Sequence, residues 1–177
     1  MLMRATSKFT LTDNCEINFK KDPHILISGK TNSGKTNVLE EILLSVMSAK
    51  KGVLAKVFLV DGKGSDLSTL KNYIPVAITP SQAAKMLRVI TTGMKKRYSR
   101  FSGNFGKVAA DYQDSQGRTV QQIVLIIDEL AVLLNDPRTR GEIHRYLYEL
   151  LIAARQASIY VSPFGAKSCS WDSKTIS

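Results

Sequence analysis

Eight consecutive residues, Gly29-Lys30-Thr31-Asn32-Ser33-Gly34-Lys35-Thr36, carry the spacing G-x-x-x-x-G-K-[ST], the pattern of a phosphate-binding loop. Gly29 and Gly34 let the backbone curl so that successive N–H groups point inward at phosphate oxygens. The start of a following helix adds the positive end of its dipole. In such a loop Lys35 reaches the β- and γ-phosphates and the Thr36 hydroxyl ligates Mg²⁺. A second chemical group lies far downstream, where Asp128-Glu129 directly follows the apolar run Ile123-Val124-Leu125-Ile126-Ile127. An acid at such a strand end is placed to hold Mg²⁺, usually through water. Its neighbour Glu129 is then placed to orient and deprotonate an attacking water. Adjacent carboxylates at a buried strand end are costly without a cation, and a Mg²⁺–nucleotide site supplies one.

The elements around these residues fit. His24-Ile25-Leu26-Ile27 is a strand candidate leading into the loop, and Val38, Leu39, Ile42, Leu43 and Val46 recur at helical spacing after it. Before the loop, Phe9-Thr10-Leu11 and Ile17-Asn18-Phe19 alternate loosely and predict a short hairpin over about residues 1–22, closed off by Pro23. After the first helix, which Gly52 closes off, Val57-Phe58-Leu59-Val60 predicts a buried strand ending at Asp61. The turn Gly62-Lys63-Gly64 follows it, and then a shorter strand over residues 74–78. A long helical pattern runs from Ser81 to about Phe101. Residues 103–118 are polar and Gly-bearing, as in a loop or weakly ordered excursion. Ile143, Tyr146, Leu147, Leu150 and Leu151 mark a last helix. Alternating strands and helices with near-continuous apolar strands argue for an α/β fold with a mainly parallel sheet covered on both faces.

The 177-residue length suits one domain. The formal net charge of +10 favours a polyanionic partner, nucleic acid first and an acidic membrane surface second. Much of that charge is local. Residues 67–110 contain no Asp or Glu but include Lys71, Lys85, Arg88, Lys95, Lys96, Arg97, Arg100 and Lys107. Lys85, Arg88, Lys96 and Arg100 are spaced so that several share one side of the long helix, either to neutralise phosphates or simply as a solvated face. Tyr98 and Phe101 at i, i+3 read as core rather than as base-stacking residues. Cys15 and Cys169 form no motif, so a reducing cytosol is the default. His24 and His144 show no ligand pattern and read as structural. No apolar run is long enough to span a bilayer, and the first residues have no signal-peptide core.

Several segments together resemble the motor domain of the FtsK/SpoIIIE DNA translocases. Pro23-His24-Ile25-Leu26-Ile27-Ser28-Gly29 is similar to the family's PHLLIAG lead-in. Val60-Asp61-Gly62-Lys63-Gly64-Ser65-Asp66-Leu67 is similar to D-P-K-G-x-x-L, with Gly62 in place of Pro. Met94-Lys95-Lys96-Arg97-Tyr98-Ser99-Arg100-Phe101 resembles E-M-x-x-R-Y-x-x-F, and Ile126-Ile127-Asp128-Glu129-Leu130-Ala131 matches I-I-D-E-L-A. Order and spacing agree over roughly residues 15–161. The resemblance implies a RecA-like, three-layer P-loop ATPase that uses ATP and Mg²⁺. It also implies assembly as a ring, typically a hexamer, around double-stranded DNA, with a neighbouring subunit supplying an arginine. Arg155 aligns with the family's G-R-A-A-G-I segment and is the candidate. The setting implied is conjugative transfer or chromosome segregation, in a cytoplasmic protein recruited to membrane-associated machinery by its partners.

The resemblance stops at about residue 161. The family strand continues as H-L-I-L-A-T-Q-R-P, whereas Tyr160-Val161-Ser162-Pro163-Phe164-Gly165 stands here, followed by a polar tail to Ser177. Pro163 is expected to interrupt a central strand. The division expected is an ATPase core over residues 1–161 and a divergent tail over 162–177, as after a premature end or a frame change. An ATP- and DNA-binding remnant without productive turnover is therefore the alternative to a working motor core. A third class, a small-molecule P-loop kinase, is disfavoured by the water-activating position of Glu129 and by the basic helix.

Overall fold

The computed structural model describes residues 8–12, 15–18, 21–30, 33–47, 55–64, 66–101, 109 and 120–165. The 103–118 excursion (apart from the buried Ala109), Gly52, Cys169 and the 166–177 tail lie outside these residues. As the alternation at the start predicts, β1 (Lys8–Thr12) and β2 (Cys15–Asn18) pair as an antiparallel hairpin. Strands β3 (Ile27–Ser28), β4 (Lys56–Asp61), β5 (Val76–Ala77), β6 (Ile123–Asp128) and β7 (Ile159–Gly165) form one parallel sheet in the order β3-β7-β6-β4-β5. The helices are α1 (Lys35–Met47), α2 (Pro80–Phe101), α3 (Leu130–Leu134) and α4 (Arg140–Ala153), with 3₁₀ turns at Asp66–Asn72 and Ala154–Ala157. The short α3 and the two 3₁₀ turns have no counterpart in the sequence pattern, being too short to show a helical period.

The strict alternation of strand side chains divides the core in two. Val57, Leu59, Val124, Ile126, Tyr160 and Phe164 face α1, meeting Leu39, Ile42 and Leu43. Phe58, Val60, Leu125, Ile127, Ile159 and Val161 face the other way, against Leu87, Ile90 and Met94 of α2 and Ile143, Leu147 and Leu150 of α4. Both faces of β4 and β6 are thus buried, which is why their sequences are apolar throughout rather than alternating. The result is the three-layer α/β arrangement expected.

Pro163 does not break the sheet. It pairs with Ile127 inside β7, between β6 and β3. The reason lies in the direction of its missing donor. Val161 N–H donates to Pro23 O (3.2 Å), and Gly165 O accepts from Gly29 N–H (3.3 Å), so these odd-numbered residues of β7 turn their backbone groups toward β3. Pro163 shares that parity. Its absent N–H falls on the β3 side, where pairing is indeed interrupted between the His24–Val161 bridge and the Ile27–Phe164 register. The ladder to β6 loses nothing. His24 helps span the gap: its Nδ1 also accepts from Val161 N–H at 3.3 Å. Burial, then the nearby Arg155, pushes its pKa below the ordinary value and keeps the ring a neutral acceptor.

Helix α2 starts where its own sequence caps it. Thr79 Oγ1 accepts from Gln82 N–H (3.3 Å), Gln82 Oε1 accepts from Ile78 N–H (2.9 Å), and Pro80 occupies the first helical position. Its R-Y pair is a brace. Arg97 donates to the carbonyls of Ala157 and Gln121, and the half-buried Tyr98 donates its hydroxyl to Ala153 O. Tyr98 is thus packed against the core as expected, while the Phe101 side chain lies outside what is described. These bonds tie α2 to the end of α4 and to the entries of β6 and β7. Replacing Arg97 with Ala is expected to cost about 2 kcal/mol, the range for hydrogen bonds to a charged donor, read as a lowered urea midpoint with unchanged slope. A loss below about 0.5 kcal/mol, as at an ordinary surface site, would contradict the brace.

Candidate functional site

All five strands of the main sheet run the same way, so their C-terminal ends share one edge. The loop after β3 and the acids ending β4 and β6 lie along it. Strand β7 separates β3 from β6, which puts the loop strand and the acid strand about 10 Å apart at the usual strand spacing.

On the loop side, Gly34 has φ 83°, a left-handed value favouring glycine, immediately before Lys35 opens α1. A Cβ on Gly29 would meet Ser33 Oγ at 2.6 Å, so the loop closes tightly on itself. Lys35 Nζ donates to the carbonyls of Gly29 and Lys30, both at 2.7 Å. That leaves one of its three N–H donors for a further acceptor. Lys30, Ser33 and Thr36 are exposed, whereas Thr31 and Asn32 lie outside the described residues.

On the acid side, Asp61 and Asp128 are register partners at the ends of β4 and β6. Asp61 is fully buried and accepts from Lys63 N–H at 3.2 Å. Asp128 is half-buried. Burial first, then the charges of Asp61 and Glu129, raise its pKa above the ordinary carboxylate value, against the opposing pull of Lys63 and Lys35. That Lys35 acts on Asp128 at all places the loop lysine within electrostatic range of the β6 acid. Glu129 is buried, with φ 54°. Such backbone strain in a non-glycine residue concentrates at functional sites. Its Oε2 lies 3.1 Å from Lys63 Nζ. Gly62 closes the cluster: its N–H donates to Asp128 O at 3.1 Å, and a Cβ there would stand 3.0 Å from the carbonyls of both Asp128 and Glu129.

The sequence-predicted residues Gly29, Lys30, Ser33, Gly34, Lys35, Thr36, Asp128 and Glu129 therefore fall on one sheet edge. Asp61 and Lys63 belong there too, beyond the residues that the motifs single out. The signal was available, since an acid ends a second buried strand and the D-x-K-G segment follows it. Arg155 lies elsewhere. It precedes β7, whose seven residues put it roughly 20 Å from the site edge, too far to reach its own chain's loop.

The donor set suits Mg²⁺ held mainly by phosphate oxygens. Among the described residues no three His, Cys, Asp or Glu side chains form a metal cage. Mg²⁺ binds through one or two protein oxygens plus substrate phosphates, and exposed Thr36 and half-buried Asp128 offer that number.

The profile of the FtsK/SpoIIIE family matches residues 6–118. The chain belongs to the FtsK/SpoIIIE family. It is 30% identical over 146 residues to DNA translocase FtsK of Caldanaerobacter subterraneus subsp. tengcongensis, a match covering 80% of this chain and 20% of that protein. It is 33% identical over 130 residues to DNA translocase SftA of Bacillus subtilis, covering 67% of this chain and 13% of that protein. The chain thus spans about a fifth or less of these FtsK/SpoIIIE relatives. Among solved structures, the pCW3 conjugation coupling protein TcpA, in monomer form with ATPγS, superposes with TM-score 0.75 at 26% identity. That match covers 92% of this chain and 47% of TcpA. EssC (ATPases 2 and 3) of Geobacillus thermodenitrificans shares the fold at TM-score 0.73 and 16% identity, covering 87% of this chain and 30% of that one. The P-loop α/β fold of the FtsK/SpoIIIE family is therefore established for this chain. No described helix is long and apolar enough to cross a membrane.

Asp128 yields a signed prediction. An acid whose folded pKa is raised is penalised when ionised, so it detracts from stability above its folded pKa and not below its unfolded value, near 3.8. Asp128→Asn should therefore raise the thermal midpoint at neutral pH, measured without nucleotide, and the gain should vanish as pH falls through that window. A gain independent of pH would contradict a charge penalty at this position.

Proposed function

We propose that this chain is the ATP-hydrolysing motor core of a double-stranded DNA translocase, acting in conjugative transfer or chromosome segregation. The observation that carries this reading is the placement of the phosphate loop and Asp128-Glu129 on non-adjacent parallel strands ending at one edge. The gap between them suits a triphosphate held at one side and a water activated at the other. In this mechanism the loop N–H groups and Lys35 bind the phosphates, taking over from the Gly29 and Lys30 carbonyls. Thr36 and Asp128 would hold Mg²⁺, which would supply charge neutralisation to the polyphosphate. Glu129 orients a water and takes its proton as the water oxygen attacks the γ-phosphorus. The bond to the bridging oxygen breaks, leaving ADP and phosphate.

DNA is the partner that the charge distribution favours. On α2, Arg88 and Lys95 are engaged by Glu142 and Glu149 of α4, the latter pair at 2.7 Å, and Arg97 is spent on the brace. Lys85, Lys96 and Arg100 stay exposed at helical positions that share one side, a stripe fit for sequence-independent phosphate contacts. A homo-oligomeric ring, typically hexameric, would bring a neighbour's Arg155 to the site, a role its distance from its own loop permits. In this reading residues 1–161 form the core, and the protein works in the cytoplasm, peripheral to membrane machinery. A second reading, nucleotide and DNA binding without turnover, draws on β7 ending in Ser162-Pro163-Phe164-Gly165 where the family's T-Q-R-P is absent.

Two binding measurements test the proposal. Lys35→Ala should weaken fluorescent ATPγS binding about 10- to 100-fold, the equivalent of a lost charge-assisted hydrogen bond. Lys96→Ala and Arg100→Ala should each reduce the slope of log affinity against log salt for duplex DNA by about 0.9. Unchanged ATPγS affinity would sink the nucleotide site, and unchanged slopes would remove α2 from the DNA interface.

A further inference from the structure

We propose that Lys63 is a positioning residue for Glu129 and the resident counter-cation of the acidic edge, a role that rests on the nucleotide-site reading above. The ion pair is asymmetric. The Glu129 side chain is 9% exposed and that of Lys63 is 51% exposed, so a buried carboxylate is held by an ammonium reaching in from the rim. Lys63 is fixed at both ends: its backbone N–H donates to Asp61 Oδ1, and its Nζ sits on Glu129. The backbone beneath it is equally constrained. Gly62 lies too close to the Asp128 and Glu129 carbonyls for any side chain to fit without a shift. One short turn after β4 therefore sets the position of the carboxylate after β6.

The charge pattern points the same way. The hydrogen bond to Glu129 first, then the charges of Glu129, Asp128 and Asp61, push the Lys63 pKa up, so the Lys63 ammonium sits in the field of three carboxylates. Lys35 is the other cation that acts on Asp128. A carboxylate hydrogen-bonded to an ammonium is held in one orientation. Lys63 thus sets where Glu129 points. A divalent ion entering this edge competes with it for the same negative charge.

The test is a Mn²⁺ titration of the full chain without nucleotide, with free ion read by electron paramagnetic resonance. Wild type is compared with Lys63→Met, Lys63→Arg, Glu129→Gln and the Lys63→Met/Glu129→Gln double variant. Removing a unit charge from the neighbourhood of a divalent ion in a wet rim corresponds to about tenfold. Lys63→Met should therefore bind Mn²⁺ about tenfold more tightly, and Lys63→Arg should match wild type. The gain from Lys63→Met should shrink at least about threefold when it is measured in the double variant against Glu129→Gln alone. Lys63→Gln, which keeps a donor but no charge, replaces Lys63→Met if that variant fails to fold. Equal affinity in wild type and Lys63→Met, including no binding by either, overturns the proposal. So does a gain that persists in full when the double variant is compared with Glu129→Gln. Failure of the nucleotide-site reading is separate: it appears as ATPγS binding indifferent to Lys35→Ala.

Discussion

The register between β4 and β6 sets Asp61 beside Asp128 at the ends of two buried strands, with Glu129 one residue further on. Carboxylates collected at the mouth of an apolar sheet are unstable unless cations and donors surround them. Much of the local architecture answers that constraint. Gly62 approaches closely enough to bond Asp128 O, Lys63 closes over Glu129, and Lys35 lies within range of Asp128 from across β7. The same charge that burdens folding makes this edge suited to a cation carried in with a polyphosphate. In the proposed site, stability and metal binding would therefore oppose each other at Asp128, as is common where function needs a perturbed group.

Strand β7 is the second determinant. By lying between β3 and β6 it holds the phosphate loop and the acids one strand apart, and its own end faces the centre of that gap. Its entry is fixed from behind by Arg97 and Tyr98 of α2. Helix α2 thus divides its cations by use. Arg97 supports the fold, Arg88 and Lys95 meet acids of α4 in exposed pairs that add little stability, and Lys85, Lys96 and Arg100 remain toward solvent.

The parts legible in the sequence were those with local signatures. The loop motif, the continuous apolar runs of β4 and β6, and the 3.6-residue period of α1, α2 and α4 each announce themselves within a short window. What escaped depends on contacts between distant residues. Lys63 reads only as the middle of a turn after a strand until its partner Glu129, remote in sequence, is brought beside it. Arg97 reads as one more cation in a basic cluster until its acceptors at Gln121 and Ala157 appear. Pro163 reads as a strand breaker because the rule counts the lost donor but not its direction. Here that direction is toward the two-residue edge strand β3, where the sheet can spare it. The assignment of Thr31 and Asn32 to the loop rests on the motif alone.

In the proposed function, the loop and the acids form one hydrolytic site that DNA stimulates. The most direct measurement is steady-state ATP hydrolysis by the purified chain with and without long double-stranded DNA, beside a Glu129→Gln variant. The account predicts turnover that DNA stimulates and that Glu129→Gln abolishes while ATPγS binding persists. Turnover equal in wild type and Glu129→Gln, or none from wild type under either condition, would contradict it.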